Sequence, residues 1–350
     1  MTNIDTSAAV ARDAVSKLGR AGLDPAGFLY EVSVRVRRVV PHVMSSWMTL
    51  DPDTMLLSGT ILTDKPAAML QDLLRNELLV PDVQKMTELA RRPSPVAALS
   101  ELDAATAAGS ERHQLIYRPA GIGDELRAML RARGSSWGAA MLYRERGSRN
   151  FDARERAFMA DIAAEIGEGL RRSLSRRPDP GAAGLVPGAV AFGATGSMIS
   201  STVEASRMMA LMPGDATTTL SCVAISASQG DGARARVHLA DGRWLLLHGG
   251  CMLGAPDEPA RVTVTLMPAP RTDVTSMLMR LHGLSARERE VAELLMLGPP
   301  IRTIAAWLHI SPHTLRDHVK SIFGKVGARS RSELMALGLD HVWPEPYRAG

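Results

Sequence analysis

Arg316 and Lys320 lie four residues apart in the stretch ISPHTLRDHVKSIFGKV, Ile310 to Val326. On a helix that spacing is about one turn, so both cations leave the same face. An arginine or lysine so placed can donate to guanine O6 and N7 in a DNA major groove, and Asp317 beside them can accept from a cytosine amino group. His313 falls on the same outer side. Ser311, Thr314 and the N–H groups of a helix start suit a phosphate oxygen, and Lys325 and Arg329 can reach the backbone further along. The opposite stripe, Leu315, Val319, Ile322 and Val326, is apolar and reads as the face that holds the helix to a core. A packing helix with a solvated basic face has the same composition, so this stretch alone leaves both readings open.

Four capped helices are predicted around it. The first is capped by Ser285, with Glu288 three residues on as a capping box, and ends at Gly298. Its inner residues are Val291, Leu294 and Leu295. The second is entered through Pro299-Pro300, with Ile301, Ile304, Ala305 and Leu308 inward. The third has Ser311 as N-cap and Pro312 in its first turn. The fourth repeats the capping-box spacing at Ser330 and Glu333. The connection His309 to Ser311 is so short that the second and third helices must cross steeply. The third then projects as in a helix-turn-helix, its N-terminal half nearest the base edges.

These marks occur in order and without a gap from Leu284 to Leu334. Arg287-Glu288-Arg289-Glu290-Val291, Gly298, Ile304-Ala305, Ile310-Ser311-Pro312, Thr314, His318, Lys325 and Ser330-Arg331 together closely resemble the LuxR-type helix-turn-helix family of bacterial transcription regulators. The resemblance implies an all-α four-helix DNA-binding domain over residues 272–343. It also implies a homodimer on double-stranded promoter DNA, with RNA polymerase as protein partner. Two positions depart from the pattern. Thr303 stands where a glutamate often precedes the Ile-Ala pair, and Pro299-Pro300 replaces a small polar stretch; both bear on how the second helix is set. His318 occupies a characteristic family position and reads as a half-buried packing residue.

The chain has 350 residues, so one helical domain leaves most of it unassigned. Residues 1–174 read as helix, helix, two strands around Asp51-Pro52-Asp53, an irregular middle broken by Pro66, Pro81, Pro93 and Pro95, and a further strand. That strand, SSWGAAMLYRE, places Trp137, Ala139, Met141 and Tyr143 on one face. A long helix closes the segment, with Phe158, Ile162, Ile166 and Leu170 as its stripe. The stretch from Tyr117 to Ile166 resembles a GAF-type sensor domain. Residues 175–188 are rich in Pro, Gly and Arg and read as a linker. Residues 189–270 read as strand, turn, strand, short helix, a hairpin over Ala233–Leu253 and a last strand with Val262, Val264 and Leu266 on one face. This is a small α+β module that looks PAS-like. The expected fold is therefore multidomain: an α+β GAF-like domain, a small α+β PAS-like module and the helical C-terminal domain.

The net charge of +4 permits a nucleic-acid partner without demanding one. Lysine occurs at five positions, and Lys320 and Lys325 are two of them. Two cysteines, Cys222 and Cys251, suit a reducing cytoplasm and argue against a disulfide scaffold. No secretory start and no apolar run of roughly 18 residues is visible, so a cytoplasmic protein without a membrane span is expected. No P-loop, G-x-S-x-G or metallohydrolase motif appears, and an enzyme is not expected. His248 and Cys251 are poorly spaced as ligands, so no metal and no cofactor is expected. An unidentified small-molecule effector stays open; Trp47, Trp137, Tyr143 and the methionines around them read as core. The alternative to a DNA-binding regulator is a small-molecule sensor or sigma-like factor acting through protein partners such as RNA polymerase. Two candidate dimer seams stand out, the Phe158–Leu170 stripe and the last helix, Ser332 to Leu339.

Overall fold

The computed structural model describes residues 3–63, 67–176, 184–193, 195–252 and 261–336. Residues 177–183 of the expected linker and residues 337–343 of the expected C-terminal domain lie outside these, as does the end of the second dimer seam. Among the described residues no helix is long and apolar enough to cross a membrane.

The first module opens with α1 (Asn3–Leu18) and α2 (Pro25–Val39). Asp24 caps α2, its carboxylate accepting from Gly27 N at 2.8 Å. β1 (Met44–Leu50) and β2 (Leu57–Thr63) flank the Asp51-Pro52-Asp53 turn. α3 (Ala67–Leu79), α4 (Met86–Leu89), β3 (Val96–Ala98) and α5 (Ala104–Gly109) fill the irregular middle. β4 (Ile122–Ala132), β5 (Ser135–Glu145) and α6 (Ala153–Ser173) complete it. The strands form one antiparallel sheet in the order β2-β1-β5-β4-β3. β3 escaped the sequence reading because Pro93 and Pro95 just before it read as breakers; it is a short edge strand, where proline is tolerated.

Both faces of this sheet are apolar. One packs against α1, α2 and α6, joining Trp47, Leu126 and Ala140 to Phe28, Val32, Phe158, Ile162, Ile166 and Leu170. The α6 stripe is thus core of the first module and not a dimer seam. The other face carries Met48, Ala139, Met141 and Tyr143. Trp137 does not share that face as its spacing predicts; it lies in the cluster with Trp47. The register explains the switch, since Leu130 faces Gly138 but Arg131 faces Ser136. Trp137 is the extra residue of a β-bulge and turns to the other side.

The second module has β6 (Gly188–Phe192), β7 (Met198–Ser201), α7 (Val203–Met209), α8 (Ala216–Ala227), β8 (Ala233–His238), β9 (Trp244–Met252) and β10 (Arg261–Pro268). Its sheet order is β7-β6-β10-β9-β8. Each module thus orders its own five strands second, first, fifth, fourth, third, with helices inserted between the second and third. No sequence repeat announces this. α8 also went unread, because ATTTLSCVAISA is buried nearly all round and shows no amphipathic period.

The two modules share one core. Val223, Leu245, Leu247, Val262 and Val264 belong to the same apolar cluster as Met48, Met141 and Tyr143, with α3 and α8 between the sheets. The edge strands β2 and β8 lie beside each other. Asp51 is bidentate with Arg236 (2.7 and 2.8 Å) and also accepts the Arg236 backbone N–H at 2.8 Å. Arg236 and His238 alternate with apolar residues as a solvent-facing pair would, yet both are buried at this seam. Gly214 bridges Thr60, and Asp215 N donates to Thr60 O at 3.1 Å.

The C-terminal part comprises α9 (Arg271–Leu281), α10 (Ala286–Leu297), α11 (Ile301–Trp307), α12 (Pro312–Val326) and α13 (Arg331–Ala336). α9 is an addition to the four helices drawn from sequence. Together these elements make a multidomain chain of two antiparallel sheets with their helices and a helical C-terminal domain.

A Cβ on Gly214 would come within 1.6 Å of Thr60 O, at φ +68°. Gly214→Ala should therefore lower the urea midpoint by the equivalent of about 2–3 kcal/mol, from overpacking plus a left-handed backbone. Gly22→Ala, at φ +71° with nothing within 4 Å, should cost only about 1 kcal/mol. Equal losses in the two variants would show that the seam contributes nothing of its own.

Candidate nucleic-acid interface

The C-terminal helices are set by local chemistry first. Ser285 and Glu288 close the expected capping box: Ser285 Oγ accepts from Glu288 N at 3.2 Å, and Ser285 N donates to Glu288 Oε2 at 2.6 Å. Gly298, at φ +107°, ends α10. Arg331 Nη1 donates to Gly298 O at 3.1 Å, holding α13 to that end. The core joins Met279, Leu284, Val291, Leu295, Ile304, Ala305, Leu308, Leu315, Ile322, Val326 and Leu334. Val319 packs against it half-buried, as does Ile301.

The turn between α11 and α12 is as tight as its length requires. His309 sits at φ +53°, and Ile310 N returns to Ala305 O at 3.0 Å. Arg287, reaching from α10, donates to Leu308 O at 2.7 Å and pins the turn from behind. Ser311 then caps α12, accepting from Thr314 N at 3.0 Å, with Pro312 in the first turn. Gly327 closes the helix at φ +78°.

On α12 the four expected base-facing residues, His313, Arg316, Asp317 and Lys320, form one exposed stripe opposite Leu315, Ile322 and Val326. His313 Nδ1 and Asp317 Oδ2 lie 3.3 Å apart, with side chains 84% and 69% exposed. No ion pair engages Arg316 or Lys320 among the described residues. Of the four residues assigned to phosphate, Ser311 and Thr314 are exposed at the helix start with their hydroxyls 2.9 Å apart. The Thr314 N–H is already taken by Ser311, and Pro312 has none to offer. Arg329 is exposed, its backbone N–H held by Glu333 at 2.8 Å. Lys325 is placed differently. Its Nζ lies 2.7 Å from Glu288 Oε2, so a phosphate contact there has to share or displace that carboxylate. His318 is half-buried, on the flank of the core stripe.

Glu288 is the residue the sequence reading used only in part. Besides capping α10 it accepts from Ser321 Oγ at 2.7 Å and from Lys325, and so ties α10 to the middle and end of α12. Burial pushes its carboxyl up, but the hydrogen bonds from Lys325, Ser321 and Ser285 outweigh this and bring it down to about 2. Only the three-dimensional crossing of α10 and α12 brings these groups together; Glu288 and Lys325 are 37 residues apart. Elsewhere, His248 and Cys251 are both exposed on β9, and Cys251 Sγ donates to Ala227 O at 3.3 Å. No group of three His, Cys, Asp or Glu able to hold a metal occurs among the described residues.

Glu288→Gln should destabilise the C-terminal domain by roughly 1–2 kcal/mol, a loss readable as faster amide exchange in α10 and α12. Because the folded carboxyl lies below its ordinary value of 4.5, its contribution is full above about pH 4.5 and disappears as pH falls towards 2. The wild type and variant should therefore converge in stability at acid pH; a constant gap from pH 7 to 2 would contradict the ion-pair account. At the turn, His309→Gly should change stability by less than about 1 kcal/mol, whereas the β-branched His309→Val should cost about 1–2 kcal/mol in thermal melts.

The family model described as "Bacterial regulatory proteins, luxR family" matches residues 282–337. A putative HTH-type transcriptional regulator of Aeromonas salmonicida is 44% identical over 63 residues, 18% of this chain and 32% of that protein. The spore germination protein GerE of Bacillus subtilis is 41% identical over 59 residues, 16% of this chain and 80% of that protein. The chain spans a quarter to a third of the length of the first curated relatives it matches. Among solved structures, Escherichia coli SdiA aligns over 94% of this chain and 96% of its own at 12% identity, with a TM-score of 0.36, a likeness too loose to assign the sheets to a fold family. The family model thus falls on the helices whose caps, turn and exposed stripe are described above, four-fifths of GerE's length is matched, and the chain belongs to the luxR family of bacterial regulatory proteins.

Proposed function

We propose that the protein is a transcription regulator that binds promoter DNA in a sequence-specific manner through α12, under the control of the two sheet modules. The observation that carries this reading is the exposed stripe His313, Arg316, Asp317, Lys320 on a helix whose opposite face is locked into a core. A helix held from behind by Leu315, Ile322 and Val326 and by the Glu288 contacts presents its cations from a backbone already ordered, leaving only their side chains to be fixed on binding. Arg316 and Lys320 read guanine edges, Asp317 a cytosine amino group, and His313 the neighbouring base. Ser311, Thr314 and Arg329 hold the phosphates, and Lys325 joins them when it exchanges Glu288 for DNA.

The active species is a homodimer, so that two α12 helices enter successive major grooves about one helical turn apart. RNA polymerase is the protein partner such a promoter-bound regulator addresses. Trp307, 56% exposed on α11, supplies an aromatic anchor of the kind protein interfaces use. The domain division follows the same reading: 1–174 GAF-like, 189–270 PAS-like and 272–343 DNA-binding. The shared strand order supports reading the two sheet modules as variants of one sensor architecture. A small-molecule effector held between the first sheet and α3 has to open its own site. The space between the first sheet and α3, lined by Ser46, Met48, Thr60, Glu77, Arg127 and Tyr143, is about 40 Å³, room for water and not for a metabolite.

The test is selection of DNA from a random-sequence pool by the wild-type protein, followed by affinity measurements on the selected site. Lys320→Ala and Arg316→Ala should each weaken binding by about 1–3 kcal/mol, roughly fivefold to 150-fold, and relax base preference at one position. Asn substituted for Asp317 should alter preference more than affinity. Equal affinity of Lys320→Ala and wild type at every salt concentration would remove α12 from the interface.

A further inference from the structure

α9 belongs to two cores at once. Val274, Met277, Leu278 and Leu281, spaced along one face, lie in the cluster formed by α1, α2, α6 and the first sheet, together with Trp244 and Leu246 from the outer face of the second sheet. Met279 points the other way, into the core of the C-terminal domain. The end of α9 is held by the first module at three further points. The Arg171 guanidinium donates to Leu281 O. The side chain of Arg133 fills the space over Gly283, where a Cβ would come 2.7 Å from Arg133 Cδ. Arg280 Nη2 pairs with Asp53 Oδ1.

Asp53 stands on the β1–β2 turn, and its other oxygen takes Arg236 of β8. Two residues earlier, Asp51 holds the same Arg236 in its bidentate pair. One turn of the first sheet therefore grips both the edge of the second sheet and the helix that leads to the DNA-binding domain. The Asp53–Arg280 arm is only partly exposed, 32% and 16%, so solvent screens it incompletely. On its other side α9 is loosely filled: an apolar groove of about 520 Å³ runs along Thr275, Met279, Met296, Leu297 and Met335. The helix is tied to the second sheet as well by Asp273, which pairs with Arg234 of β8 at 2.6 Å, and to the C-terminal domain by Met279 and by Arg271, which donates to Met335 O at 2.9 Å.

We infer that the Asp53–Arg280 pair is a latch that sets the angle at which the DNA-binding domain leaves the two sheets. A shift of the β1–β2 turn against the second sheet is the route by which a change in either sheet reaches α12. Access is not what the latch governs, because Arg316, Asp317 and Lys320 are exposed while the pair is made. It governs orientation, and through orientation the separation of the two recognition helices of a dimer. This last step rests on the DNA-binding reading; the mechanical step does not.

The experiment is hydrogen–deuterium exchange of the full chain, read by mass spectrometry, for wild type, Arg280→Gln, Asp53→Asn and the combined variant. Arg280→Gln leaves both carboxylates on Arg236 and removes only the α9 arm. Exchange over residues 271–284 should rise about tenfold or more in each single variant, with β4 and β5 unchanged and the combined variant no faster than the faster single one. Unchanged exchange over 271–284 in Arg280→Gln, or an equal acceleration throughout the chain, would overturn the latch. On DNA selected by the wild type, Arg280→Gln should lose roughly fivefold or more on paired half-sites but less than about twofold on a single half-site. Equal losses on both would overturn the orientation role. If the wild type selects no DNA, the DNA-binding reading fails, and the exchange data still decide the latch.

Discussion

The arrangement of this chain follows from one constraint: the first sheet has no face that water can cover, and the second has only part of one. The first sheet turns Trp47, Leu126 and Ala140 to one side and Met48, Met141 and Tyr143 to the other. Its own α1, α2 and α6 suffice for the first side only. The second side is completed by α3 and by α8, which belongs to the second module. The second sheet shares the demand in part: α7 and α8 cover its inner face and α9 covers Trp244 and Leu246 on its outer one, where His248 stays exposed and Thr263 and Thr265 half-buried. A large apolar side chain left uncovered costs about 1.5–3 kcal/mol, so no module can be removed without exposing several such losses.

Polar groups then specify how the covered faces fit. Arg127 lies buried between Glu125 (2.9 Å) and Glu77 (2.8 Å), joining β4 to α3. Burial alone would raise the Glu125 carboxyl; Arg127 and Arg112 reverse this and hold it at about 2. Such pairs are poor sources of net stability because both ions lose their water, yet a misplaced partner leaves a charge stranded. They penalise wrong registers more than they reward the right one. Asp51 and Arg236 do the same at the edge between the sheets, where the Arg236 amide would otherwise lie without a strand to receive it. The close approach of Gly214 to Thr60 is the steric counterpart of that seam.

The helical end is built on a different balance. Its core is small, and Glu288 compensates by serving two helices, as cap for α10 and as anchor for Ser321 and Lys325 on α12. The stripe His313, Arg316, Asp317, Lys320 is left uncovered by the sheets. α9 is shared between this core and that of the sheets.

The helices from α10 to α13 were legible in the sequence, two of them down to their caps, because Ser285, Ser311, Pro312 and Gly298 act on neighbours three or four residues away. The exposed stripe of α12 was legible for the same reason: its period is a property of one helix. What the residues alone hid was long-range. Trp137 changed face through a bulge whose partner is on another strand, and β3 hid behind prolines an edge strand accepts. α8 carried no period because it is buried from two sides, and Arg236 looked solvent-facing until Asp51 met it. Local hydrogen bonds and periodicity therefore determined the helical C-terminal domain of this protein from sequence. Its attachment to the rest was decided only in the tertiary structure, where carboxylates and arginines far apart in the chain are brought within bonding distance by the need to bury the apolar faces of two sheets.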